Sequence, residues 1–175
     1  MMSRIPRGAL TAAALTLCLP ALALAHASLE SKQAPSGSYY KAVIRIGHGC
    51  DGSPTTAIRV RVPDGVVAVK PMPKSGWTLN TVEGTYATPY ESHGKTITKG
   101  VTEVQWTGGS LPDGWYDEFV FQAKLPEKPA GTILHFPIVQ ECEKGVHRWI
   151  EIPEPGRKAD DYKEPAPSVT LTSKP

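Results

Sequence analysis

Hydrophobic and polar residues alternate with a period of two along most of this chain, and no long stretch repeats at the 3.6-residue period of an amphipathic helix. In TTAIRVRVP (55–63), Ile58, Val60 and Val62 share one face while Arg59 and Arg61 take the other. In SYYKAVIRIG (38–47), Ala42, Ile44 and Ile46 alternate with Lys41 and Arg45. In DEFVFQAKLP (117–126), Phe119, Phe121, Ala123 and Leu125 define a core face, and Glu118 falls opposite with Gln122 and Lys124. Each pattern predicts a strand with one wet side, because successive side chains of a strand point to opposite faces. Further strands are expected at 66–70, 77–83, 95–106, 132–140 and 146–152. Turn residues separate them: Pro63-Asp64-Gly65, Lys74-Ser75-Gly76, Gly108-Gly109 and Pro112-Asp113-Gly114. Many short strands with regular turns predict an all-β chain folded as an antiparallel β-sandwich.

The pattern stops at both ends. Residues 1–25 carry Arg4 and Arg7, then an apolar run from Ala9 to Leu24, then Ala23-Leu24-Ala25. That is the form of a secretory signal with an A-x-A cleavage site. The run is shorter than the roughly 20 residues of a membrane span. The arginines are not adjacent, which argues against a twin-arginine signal, and bulky Leu17 before Cys18 argues against lipidation. The expectation is Sec-type export to the periplasm, cleavage after Ala25, and a mature chain starting at His26 with no membrane anchor. From Pro153 the sequence PEPGRKADDYKEPAPSVTLTSKP is proline-rich and charged. It is expected to form a polar tail, 154–175, extended or disordered and partly laid on a sandwich domain of 26–153.

Losing residues 1–25 changes the chemistry of what remains. Seventeen Lys and Arg then face seventeen Asp and Glu, so there is no electrostatic case for nucleic acid or anionic membrane as a partner. Two of the three cysteines remain, Cys50 and Cys142. In an oxidising compartment the simplest reading is a disulfide, whose long loop is worth about 4–5 kcal/mol of chain entropy. A thiolate metal site is the alternative.

An amino-terminal histidine offers an α-amine and an imidazole Nδ1 that can chelate one ion, and such nitrogen donors suit Cu(II). His26 acquires that capacity only if Ala25 is removed. Glu118 reads from pattern alone as a solvated strand glutamate. Trp149, in GVHRWIEIP, is expected to point away from a core face made by Ile150 and Ile152, sharing the polar face with His147 and Glu151. An indole in that position wants a ligand or a cover. His48, His93 and His135 form no close-spaced ligand pair with one another, and each reads as an ordinary surface or packing residue. Nucleophile-elbow, zinc-protease and phosphate-loop motifs are missing, so hydrolysis has no sequence signature.

His26, VAVKPMPKSGWTLNTVEG (67–84), DEFVFQAKLP and FPIVQECEKGVHRWIEIP (136–153) occur in this order, and together they resemble the YcnI-like family of exported bacterial copper-binding proteins. The resemblance covers about 26–153. It implies an immunoglobulin-like or cupredoxin-like sandwich. It also implies a Cu(II) site built from the amine and imidazole of His26, the carboxylate of Glu118, and Trp149 nearby. The implied function is a periplasmic copper chaperone or scavenger, not an enzyme, working with other periplasmic copper-handling proteins or a membrane copper transporter. Two further readings stay open. One is a metal-free carbohydrate- or protein-binding sandwich in which Trp77, Trp106, Trp115 and Trp149 form a stacking platform. The other is a secreted copper-dependent oxidase, for which His147 would have to reach the metal.

Overall fold

A computed structural model describes residues 26–92 and 94–174. The expected leader, with Arg4, Arg7 and Cys18, and the loop residue His93 lie outside the described residues. Among the described residues twelve strands follow one another: β1 Ser28–Leu29, β2 Gln33–Pro35, β3 Tyr39–Ile46, β4 Thr55–Arg61, β5 Val67–Pro71, β6 Thr78–Ser92, β7 Lys95–Leu111, β8 Asp117–Lys124, β9 Ile133–His135, β10 Ile138–Cys142, β11 Val146–Trp149 and β12 Ser168–Thr172. A short 3-10 turn, Ala159–Asp161, precedes β12. They form a four-stranded sheet in the order β1-β3-β8-β5, a five-stranded sheet β11-β10-β4-β7-β6 and a three-stranded sheet β2-β12-β9. Among these twelve strands every pairing is antiparallel except that of β12 with β2, and an isolated parallel bridge joins Glu151 to Pro165.

The alternating segments become the centre of the molecule. Ile44, Phe119 and Phe121 of the first sheet meet Ile58, Val60, Val104 and Trp106 of the second in one buried cluster. Trp106 and Phe119 cross edge-to-face with ring centres 5.6 Å apart, a geometry that matches the edge of one aromatic quadrupole to the face of another. The Trp106 indole nitrogen, buried with its ring, donates to the Met72 carbonyl at 3.0 Å. Leu125, just past β8, completes the core.

Three expectations need correction. The strand predicted over 132–140 is two strands, because Pro137 interrupts the run and a proline nitrogen cannot join a ladder. The segment predicted as a tail returns to the fold. In SVTLT of β12, Val169 and Leu171 are buried while Ser168, Thr170 and Thr172 are not, and β12 is the middle strand of its sheet. The packed domain thus runs through Thr172 rather than ending at 153. The third correction concerns Trp149 and belongs to the site.

Candidate functional site

A sharp turn sets one wall of the site. Cys50 and Ser53 exchange backbone hydrogen bonds at 3.0 and 2.9 Å, with Asp51 and Gly52 both at positive φ, 49° and 83°. An Asp-Gly pair is the residue choice for such a two-residue turn. Gly49 is required here too, because a Cβ would lie 1.9 Å from the Ser53 carbonyl oxygen. Its amide donates to Asp113 Oδ1 at 3.0 Å, tying this loop to the one before β8. Cys50 and Cys142 form a disulfide, Cα atoms 6.0 Å apart, that joins the turn to the end of β10. The expected pairing is therefore present.

Trp149 lies inward, 3% exposed, while Ile150 and Ile152 are exposed, the reverse of the expected orientation. The register explains it. Trp149 stands opposite Ile138 and His147 opposite Gln140, and both partners are buried. The strand ends at Trp149, so the alternation of Ile150 with Ile152 belongs to a turn, where Ile150 N donates to Arg148 O at 2.7 Å. The inner face looked polar in the sequence because Gln140 and His147 occupy it. His147 shares that face with Trp149, as expected, and its ring stacks on the indole with centres 4.8 Å apart.

Three histidines surround the indole. His26 meets it edge-on at 5.6 Å between ring centres, and His48 does so at 6.1 Å. His48 and His147 are 5.4 Å apart. The His26 ring is half-buried, and its Nε2 is buried with no hydrogen-bond partner among the described residues. His26 also borders a cleft of about 300 Å³, shared with Ser28, Lys32, Asp160, Pro165 and Ser168. The polypeptide from Glu151 to Ala166 closes the far side. Glu151 N donates to Glu164 O at 3.1 Å, and Ala166 N to Glu151 O at 2.8 Å. Glu164 in turn reaches His147 Nδ1 at 2.8 Å and accepts from the Arg148 amide at 3.1 Å.

Residues 26–171 match a family model described as "Domain of unknown function (DUF1775)". The chain belongs to the DUF1775 family. One similar solved structure is "an uncharacterized protein from Nocardia farcinica" whose crystal structure "reveals an immunoglobulin-like fold". It shares 22% identity at a TM-score of 0.62, over 85% of this chain and 99% of that one. A "putative membrane anchored protein from Corynebacterium diphtheriae" aligns at 12% identity and a TM-score of 0.38, over 86% of this chain and 35% of that one. A search of curated proteins finds no match. Immunoglobulin-like is thus the fold of this DUF1775 chain.

The three residues implied as a copper site are not all in contact. His26 and Trp149 meet directly. Glu118 instead lies on the outer face of the first sheet, in a row where Ser28 of β1 pairs with Arg45 of β3 and Arg45 with Glu118 of β8. Arg45 Nε holds Glu118 Oε1 at 3.2 Å, and its Nη2 holds Glu30 at 2.7 Å. With strands about 4.8 Å apart, the Glu118 backbone stands about 10 Å from that of Ser28. Among the described residues, no group of three or more His, Cys, Asp or Glu is arranged to hold a metal. The four tryptophans make no common platform in this DUF1775 fold. Trp106 and Trp149 are buried, Trp77 packs on Phe119 at 4.9 Å, and Trp115 is exposed. His48 is the residue that sequence reasoning missed; its only signal was its place two residues before Cys50.

Proposed function

We propose that this chain is an exported Cu(II)-binding protein that uses His26, freed as an amino terminus by cleavage after Ala25, to chelate the ion through its amine and Nδ1. It serves as a periplasmic copper carrier or scavenger and passes the ion to other copper-handling proteins. The observation that carries the reading is the seat of the His26 ring: half-buried, edge-on to Trp149, beside an accessible cleft. A ligand already fixed in orientation loses less entropy on binding metal. Trp149 acts as an apolar wall on one side of the ion. The match to the family model begins at His26, which agrees with the proposed boundary, and the choice of copper as cargo follows the resemblance to the YcnI-like family.

Glu118 supplies the carboxylate in this reading. Its Oε2 makes no hydrogen bond among the described residues, and the side chain is 34% exposed, so it can swing from Arg45 toward the β1 edge. The test is a Cu(II) titration, against a competing chelator, of the chain beginning at His26 with its amine free and with it acetylated. Acetylation turns the amine into an amide and leaves every described residue in place. An affinity loss of 100-fold or more is expected, and equal affinities would sink the reading. Glu118→Gln is expected to weaken binding about tenfold; an unchanged value removes Glu118 from the ligand set.

A further inference from the structure

Two of the imidazoles beside Trp149 share an internal arrangement. His147 Nδ1 lies 2.8 Å from Glu164 Oε1, and His48 Nδ1 is bonded to the Gly49 carbonyl oxygen. Glu164 Oε2 accepts from the Arg148 amide at 3.1 Å, and a carboxylate, like a carbonyl, only accepts hydrogen bonds. Each ring, when neutral, must carry its proton on Nδ1 and keep its lone pair on Nε2. Neither Nε2 is hydrogen-bonded among the described residues. Histidines that ligate metals show this arrangement, with the far nitrogen donating to a carboxylate or carbonyl that fixes tautomer and orientation.

We propose that His48 and His147 form a second metal station, binding one late transition-metal ion through their two Nε2 atoms. A coordinated imidazole has its ring centre on the order of 3 Å from the ion, so two rings on one ion have centres about 4–6 Å apart. The observed separation is 5.4 Å. The surroundings hold both rings in place. Gln140 donates to the His48 carbonyl at 2.7 Å and accepts from the Trp149 indole at 3.0 Å. Trp149 then stacks on His147, and the disulfide pins the turn that carries His48. Two neutral imidazoles select Cu(II), Ni(II) or Zn(II) over Mg(II) or Ca(II). Solvent completes the coordination, so this station is weaker than an amine–imidazole chelate. It makes no use of the His26 amine and goes beyond the function proposed above.

The experiment uses the chain beginning at His26 with its amine acetylated, with Zn(II) as probe. Long-range proton–nitrogen NMR of the histidine rings reads tautomer and ligation together. Metal-free protein at pH 7.5 is expected to show Nδ1–H on both His48 and His147, and one equivalent of Zn(II) is expected to shift both Nε2 resonances. His48→Gln and His147→Gln should each weaken Zn(II) at least tenfold, and Glu164→Gln by about 10–100-fold. An Nε2–H tautomer on either ring overturns the proposal. So does unchanged affinity in a His48→Gln/His147→Gln protein that keeps its melting temperature; if that protein does not fold, the ring shifts of the unsubstituted chain decide. Loss of Cu(II) affinity on acetylating the His26 amine, with the Zn(II) shifts intact, separates this station from the His26 chelate.

Discussion

The Trp149 indole donates to Gln140 Oε1 at 3.0 Å, and both side chains are almost wholly withdrawn from solvent. Gln140 has spent its amide nitrogen as well, donating to the His48 carbonyl at 2.7 Å and to Thr55 Oγ1 at 2.8 Å. One buried amide thus ties β11, the His48 turn and β4 together, and the orientation of the site depends on it.

Gln140→Leu keeps most of the volume but strands the Trp149 donor and the His48 acceptor. Each unsatisfied buried group costs about 1–3 kcal/mol, so a loss of about 2–6 kcal/mol is expected for the two. Urea unfolding followed by Trp fluorescence measures it. A loss under about 0.5 kcal/mol would mean the network is not formed.

Val169 and Leu171 make β12 part of the core. Leu171→Ala is expected to cost about 2–5 kcal/mol. A chain ending at 153 should fail to show a cooperative melt, since it lacks the middle strand of its sheet. A cooperative melt at unchanged temperature would return this segment to the role of a tail.

Burial holds the His135 imidazole below its ordinary value of 6.5, opposed in part by a hydrogen bond to the Ala166 backbone. As pH falls below 6.5 the unfolded chain takes up the proton first, so the folded state loses stability through the depressed folded value. Above 6.5 that contribution is fully present. The urea midpoint is expected to fall between pH 6.5 and pH 5, with the slope reduced in His135→Leu; an identical slope in the variant excludes His135 as its source.

Tyr40 shows the opposite sign. Burial, reinforced by the charge of Glu30, pushes its phenol up to about 12, and the hydroxyl donates to the Ser31 carbonyl at 2.6 Å. Its contribution is complete below pH 10 and is lost as pH rises through about 12. Absorbance at ~295 nm, where phenolate absorbs, should show Tyr40→Phe removing one late-titrating group. Loss of an ordinary group near pH 10 instead would contradict the burial.

Where apolar residues alternate strictly, the sequence was enough to place the strand and its inner face. Ile44, Ile58, Val60, Phe119 and Phe121 are buried on the side their spacing predicted. Trp149 was misread because the inner face of β10 and β11 carries Gln140 and His147, so polarity no longer marks the wet side. β12 was hidden by the prolines before it, although SVTLT alternates as a strand should. The length of the β6–β7 hairpin was invisible for another reason: of its strand residues only Val104, Trp106 and Leu111 are buried, so burial imposes no period on most of it. Of the implied site, the contact between His26 and Trp149 was anticipated through resemblance. The place of His48 depends on a turn and a long-range disulfide that local spacing does not encode.

The parallel pairing of Gln33–Pro35 with Thr170–Thr172 has a consequence for synthesis. Residues near the start of the fold wait for residues near its end, so a ribosome that emits the chain from the front cannot release a finished domain piece by piece. Closure comes as a single late event, and a chain stopped before residue 168 presents an open sheet edge to whatever quality control surrounds it.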